Sequence, residues 1–137
     1  MDLEFTKTPP ATDFTSVPPG TYLCEIADVR AGATRAGEER WSFKLVVKEG
    51  EFAGRHAAWD SLVFSERALP RVRRVFGALG FPTEGRLRVE PKDLEGRAAF
   101  VEIRPSEYRN ALGETVRRNE VPYAGYRAVR KDDDVPF

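Results

Sequence analysis

From Arg40 to Lys48 the chain alternates, with Trp41, Phe43, Leu45 and Val47 on one parity and Arg40, Ser42, Lys44 and Lys48 on the other. A period of two is that of a strand with one buried face. Tyr22, Cys24 and Ile26 alternate in the same way within TYLCEIADVR, as do Ala99, Val101 and Ile103 within RAAFVEIR. In RHAAWDSLVF apolar residues occupy both parities, which predicts a strand carrying a bulge and leaves the face of Trp59 unsettled. TVRRNEVPYAGYRAV reads as a last strand, bent near Pro122 and Gly125. The period changes in SERALPRVRRVFGALGF, where Leu69, Val72, Val75, Phe76 and Leu79 recur at spacings of three and four. That stretch predicts one helix, with Ser65 as a cap, Gly80 as a stop, and Arg71, Arg73 and Arg74 mostly toward solvent. The glycine-rich AGATRAGEE and EGEFAG read as turns, and PSEYRNALGE as a loop with Gly113 at its tip.

The expected order is three strands, a helix and two strands. This mainly-β layout is that of the OB-fold, a five-stranded barrel with a helix between its third and fourth strands, and an open α+β sheet with one helix competes with it. Doubly wound folds need several alternating helices and are disfavoured. Residues 1–17 hold Pro9 and Pro10 and no sustained period, so they read as a flexible arm; residues 18–129 form the expected domain, and residues 130–137 an acidic tail.

Composition adds the charge pattern. The 137 residues carry 22 basic and 22 acidic side chains, yet Asp2, Glu4, Asp13 and Asp132 to Asp134 lie outside residues 14–131 against Lys7 alone, so the body is +5. Arginine outnumbers lysine 17 to 5, and its planar fork grips phosphate and stacks on rings better than an ammonium does. No apolar run reaches the ~20 residues of a membrane span and no signal peptide is evident, which predicts a cytoplasmic protein without membrane association. Cys24 and His56, the single cysteine and the single histidine, offer no disulfide and no metal-ligand spacing, and Cys24 reads as a core thiol. There is no phosphate-binding glycine loop and no nucleophile elbow. No catalytic residue, metal or cofactor is therefore assigned, and no enzymatic activity is expected.

What the body offers is arginine interleaved with aromatic residues, the pairing that an unpaired nucleic-acid strand requires. Its bases stack on flat side chains while basic groups follow the phosphates. Trp41 and Phe43 share the apolar parity and read as core. Arg35, Arg40, Lys44, Arg55, Trp59, Tyr108 and Arg109 fall where an OB barrel meets its ligand, on strands two and three and the loops between strands one and two and four and five. Arg104, Arg117 and Arg118 extend the candidate set, although arginines of a last strand are often only a solvated face.

The segments PPGTYLCEIADV, FKLVVKEGEFAGRHAAWDSLVF, VRRVFGALGF, DLEGRAAFVEI and RRNEVPYAGY resemble, in that order, the phage-type single-stranded DNA-binding proteins long catalogued as a domain of unknown function. The resemblance covers most of residues 18–127. It implies an OB-fold that coats single strands during replication, recombination or repair, without sequence preference, in a bacterial cell or phage-infected host and associated with the nucleoid. The ending DDDVPF resembles the tip of bacterial single-stranded DNA-binding proteins. That likeness implies that Asp132, Asp133, Asp134, Val135, Pro136 and Phe137 recruit replication, recombination or repair proteins: Phe137 enters a partner's pocket and the aspartates meet a positive rim. It also implies competition of the tip for the protein's own basic groove. The bacterial proteins carry a long spacer before this tip, whereas here the acidic run starts a few residues after the last expected strand. A protein-interaction adaptor and an RNA-binding module are the alternatives, and homo-oligomerisation is left open.

Overall fold

The computed structural model describes residues 12–13 and 15–129. Along them run β1 (Thr12–Asp13), β2 (Gly20–Ala33), β3 (Glu39–Val47), β4 (His56–Val63), α1 (Leu69–Ala78), a 3-10 turn (Pro91–Leu94), β5 (Ala98–Arg109), β6 (Thr115–Glu120) and β7 (Tyr126–Arg127). The protein is mainly β with a single α-helix among the described residues. No helix there is long and apolar enough to cross a membrane.

The strands form one sheet in the order β1-β6-β5-β2-β3-β4, with β7 also on β5. All pairs are antiparallel except β1 with β6. The long β2 is central and exchanges hydrogen bonds with both β3 and β5. The sheet is open, because no ladder joins β4 to β6. The Asn119 side chain of β6 stands at that seam: its Nδ2 donates to the carbonyls of Ala57 on β4 and Val17, each at 3.1 Å. Within the stretch expected to be a flexible arm, Thr12 and Asp13 pair with Val116 and Arg117, and Val17 is a core residue.

Alternation in β3 does what the sequence implies. Trp41, Phe43, Leu45 and Val47 are all buried, and they meet Cys24 and Ile26 of β2 and Val101 and Ile103 of β5 in one core. Sealing a ring such as Phe43 from water stabilises the fold by roughly 1.5–3 kcal/mol. The expected bulge is in β4, where Leu45 faces Ala58 and Val46 faces His56, so that Ala57 is the extra residue and both alanines are buried. A second irregularity lies in β2. Ala27 faces Lys44 and Arg30 faces Ser42, so Asp28 and Val29 together oppose Phe43, and Asp28 adopts a left-handed φ of 53°. One extra residue reverses the facing of everything beyond it.

Helix α1 begins later than Ser65. The Ser65 hydroxyl accepts from the Ala68 N–H at 3.1 Å and so caps the turn before the helix, which starts at Leu69 with Pro70 in its first turn. Val72, Val75, Phe76 and Ala78 face the core, and the chain turns away at Gly80, whose φ of +91° suits a residue without Cβ. Arg71 departs from the expected solvent-facing row. Its Nη1 donates to the Ser61 carbonyl at 2.9 Å and its Nη2 to the Asp60 carboxylate at 2.8 Å. The Tyr126 hydroxyl donates to the same carboxylate at 2.6 Å, tying β7, α1 and β4 together. Burial, and then the charge of Asp60, push the Tyr126 phenol well above its usual range, so it remains a donor.

Cys24 lies in the core, and burial pushes its thiol up to about 12. The unfolded thiol ionises near its ordinary pKa of ~8.5, so this residue's contribution to stability is complete below that pH and is lost as pH rises toward 12. A maleimide or disulfide reagent at neutral pH is accordingly expected to label the native protein only at the rate at which it opens. Labelling as fast as that of a free thiol would contradict the placement.

Candidate functional site

On the face of the β2-β3-β4 sheet opposite the core, the register sets Lys44 beside Trp59 and Ser42 between Arg30 and Ser61, with Arg40 beside Val63. Trp59 is 44% exposed, a large apolar surface to leave in water. The Arg30 guanidinium lies 5.4 Å from its ring centroid, in cation–π range. The His56 ring packs edge-on with Trp59 at 5.8 Å and 66°. Burial, and then the charge of Lys44, lower the His56 pKa, so the imidazole is neutral at pH 7 and adds nothing to the cationic character of the face.

Across the seam stands the β5–β6 hairpin. Tyr108 is 42% exposed, and the Arg118 guanidinium sits 4.7 Å from its ring centroid. Ser106 faces Arg118 and Tyr108 faces Val116, so the arginine reaches the ring along the diagonal of an antiparallel pair. Three adjoining hollows connect the two banks. One is lined by Arg30, Arg40, Ser42 and Trp59, the next by Arg40, Trp59, Arg118 and Glu120, and the third by His56, Trp59, Tyr108 and Arg118. The result is a strip along which exposed rings alternate with guanidinium and ammonium groups.

Of the residues expected at a ligand face, Arg40, Lys44, Trp59, Tyr108 and Arg118 are brought together here. The others lie elsewhere. Arg35 is in the exposed β2–β3 turn. Arg55 stacks on Phe52 at 5.4 Å and donates to the Ser16 carbonyl at 3.2 Å. Arg104 makes an exposed ion pair with Glu120 at 3.5 Å. Arg109 ends β5, opposite Thr115. Arg117 lines a different recess with Val17, Pro105 and Asn119, and its Nε is buried without a partner. Asp132, Asp133, Asp134, Val135, Pro136 and Phe137 lie outside the described residues. Tyr108 and Arg109 were placed in a loop by the sequence; they belong to β5, which runs through Pro105 to Arg109 because that proline tolerates extended backbone beside Asn119.

Arg30 is the residue sequence reasoning missed. It shares parity with Cys24 and Ile26, so simple alternation would turn it toward the core; the irregularity at Asp28 and Val29 turns it out over Trp59. An aspartate able to adopt a left-handed conformation in mid-strand is the local signal. Among the described residues, no three His, Cys, Asp and Glu side chains gather as a metal site would require. Ion pairs take Arg30, Arg71, Arg73 and Arg104 there, and leave Arg40, Lys44 and Arg118 outside any such pair.

The geometry thus defines a class: a mainly-β protein with one α-helix among the described residues, bearing a cationic, ring-studded strip on an open sheet. The chain belongs to the family described as "Protein of unknown function (DUF669)", whose profile matches residues 5–131. A comparison with curated proteins gives no significant match.

Proposed function

We propose that the protein is a phage-type single-stranded DNA-binding protein that holds unpaired strands, without regard to sequence, along the strip from Arg30 and Arg40 to Tyr108 and Arg118. The observation that carries the proposal is the Trp59 ring, exposed at the centre of the strip, opposite Lys44 in the ladder and beneath Arg30. Successive bases stack on Trp59 and Tyr108, while Arg40, Lys44 and Arg118 follow the phosphates. Supporting this is the strand order. β2, β3, β4, β5 and β6 correspond in sequence to the five strands of an OB-fold, with α1 between the third and fourth, and the strip falls on the strand-two and strand-three face and the last hairpin, where that fold takes oligonucleotides. We take the sheet as an OB-type barrel whose last seam is bridged by the Asn119 amide instead of a ladder.

In this role the protein is a non-enzymatic scaffold of DNA replication, recombination or repair, and its DDDVPF tip recruits partner proteins. A protein-adaptor role would call for an apolar face on β3 and β4, and that face carries Arg40 and Lys44 instead. Stacking and phosphate contacts serve RNA as well as DNA, so the decisive comparison uses single-stranded DNA, duplex and RNA of equal length. Binding to an unstructured deoxyoligonucleotide is expected to weaken linearly on logarithmic axes as salt rises. With ~0.7 counterions released per phosphate contact and three or four contacts, the slope is about −2 to −3. No binding at low salt, or stronger binding to duplex, rejects the proposal.

A further inference from the structure

We propose that a second groove, beside α1, is a docking site for the chain's own C-terminal segment Asp132–Phe137. The groove has a volume of about 700 Å3, and Phe64, Leu69, Val72, Phe76, Leu87 and Val89 form its apolar floor. It shares no residue with the hollows around Trp59. Leu69 leaves 52% of its surface in water on a helix whose other face is packed into the core. An apolar patch kept open in this way marks an interaction surface. The charged residues lining the groove are Arg73 and Glu66, and the surrounding stretch, residues 64–89, carries six arginines against two glutamates. Arg71 is committed to Asp60, and the Arg73–Glu84 pair at 3.2 Å is solvent-exposed and so adds little to stability.

Such a site calls for a ligand with an apolar end and an anionic string behind it. The chain carries one in DDDVPF, whose Val135, Pro136 and Phe137 match the floor and whose three aspartates match the arginine excess of residues 64–89 around it. The point of exit also fits. Tyr126 of β7 shares Asp60 with Arg71 and lies 5.9 Å from the Arg71 guanidinium, in the same turns of α1 that give Leu69 and Val72 to the groove. Eight residues, 130–137, reach at most ~3.3–3.6 Å each, or roughly 27 Å. The ten residues of α1 measure only ~15 Å. So short a tether gives its tip a local concentration of order millimolar, which favours the nearest matching surface over a distant one. While seated, the tip is withheld from other proteins.

None of this depends on nucleic-acid binding, and the test uses no DNA. A fluorescein-labelled KDDDVPF peptide is titrated by polarisation into three full-length chains: wild type, Phe137→Ser, and Phe137→Ser combined with Leu69→Glu. Leu69 is exposed, so glutamate there leaves the core intact. The Phe137→Ser chain, whose own tip no longer competes, is expected to bind the peptide at least about tenfold more tightly than wild type, and the added Leu69→Glu to abolish the gain. Methyl resonances of Leu69, Val72, Leu87 and Val89 are expected to shift between wild type and Phe137→Ser, with the Trp59 indole unmoved. Equal affinity in wild type and Phe137→Ser, binding indifferent to Leu69→Glu, or shifts at Trp59 in place of the groove would overturn the proposal. A concentration-dependent dimer that Phe137→Ser abolishes would overturn it too, by seating the tip on a second copy.

Discussion

Replacing Trp59 and Tyr108 together by alanine is expected to lower affinity for an unstructured deoxyoligonucleotide by about 30-fold or more while leaving thermal stability nearly unchanged. Each base stacked on an aromatic side chain is worth ~1–3 kcal/mol, so the loss of two rings removes at least ~2 kcal/mol. Both rings are exposed at the surface of the sheet, and truncating them opens no cavity in the core. Stacking and charge are separable in this experiment. The salt slope of the double variant should match that of wild type, because Arg40, Lys44 and Arg118 are untouched, whereas Lys44→Ala should flatten the slope by about 0.7. An unaltered affinity in the double variant would show that bases do not sit on these rings.

The second large effect concerns stability. Asp60 is mostly buried and accepts hydrogen bonds from Arg71 and Tyr126 at once, so Asp60→Ala strands a guanidinium with 17% of its side-chain surface exposed and a phenol that has lost its acceptor. Breaking such a pair from one side costs about 3 kcal/mol, mostly because the surviving charge stays partly desolvated. The double variant Asp60→Ala with Arg71→Met removes that charge and is expected to unfold at a higher denaturant concentration than Asp60→Ala alone. If the double variant were the less stable of the two, the pair would be acting through packing instead of charge.

The strands with one buried face were legible in the sequence because a period of two leaves a clear mark: Trp41, Phe43, Leu45 and Val47 read as core and are core. The β4 bulge was legible for the opposite reason, since Ala57 and Ala58 spoil the alternation and both are buried. Other features left no such mark. The irregularity at Asp28 is polar and exposed, so the pattern passes over it, and with it the outward turn of Arg30. Arg71 looks like one more cation in a basic helix until the fold brings Asp60 of β4 to it from eleven residues away. Tyr108 reads as loop because proline usually interrupts a ladder, yet Pro105 lies within a strand that continues to Arg109. Last, whether β4 and β6 meet through a ladder or through one amide is a matter of three-dimensional closure, on which a pattern of parities is silent.

On the proposed function the amide bridge has a mechanical meaning. Trp59 and Tyr108 stand on opposite banks of the seam spanned by Asn119, a residue only 6% exposed. Rungs of a continuous ladder would hold the two rings at a fixed multiple of ~4.8 Å. A seam closed by a side chain in place of a ladder imposes no such spacing, and a grip without a fixed gauge has no need to read letters.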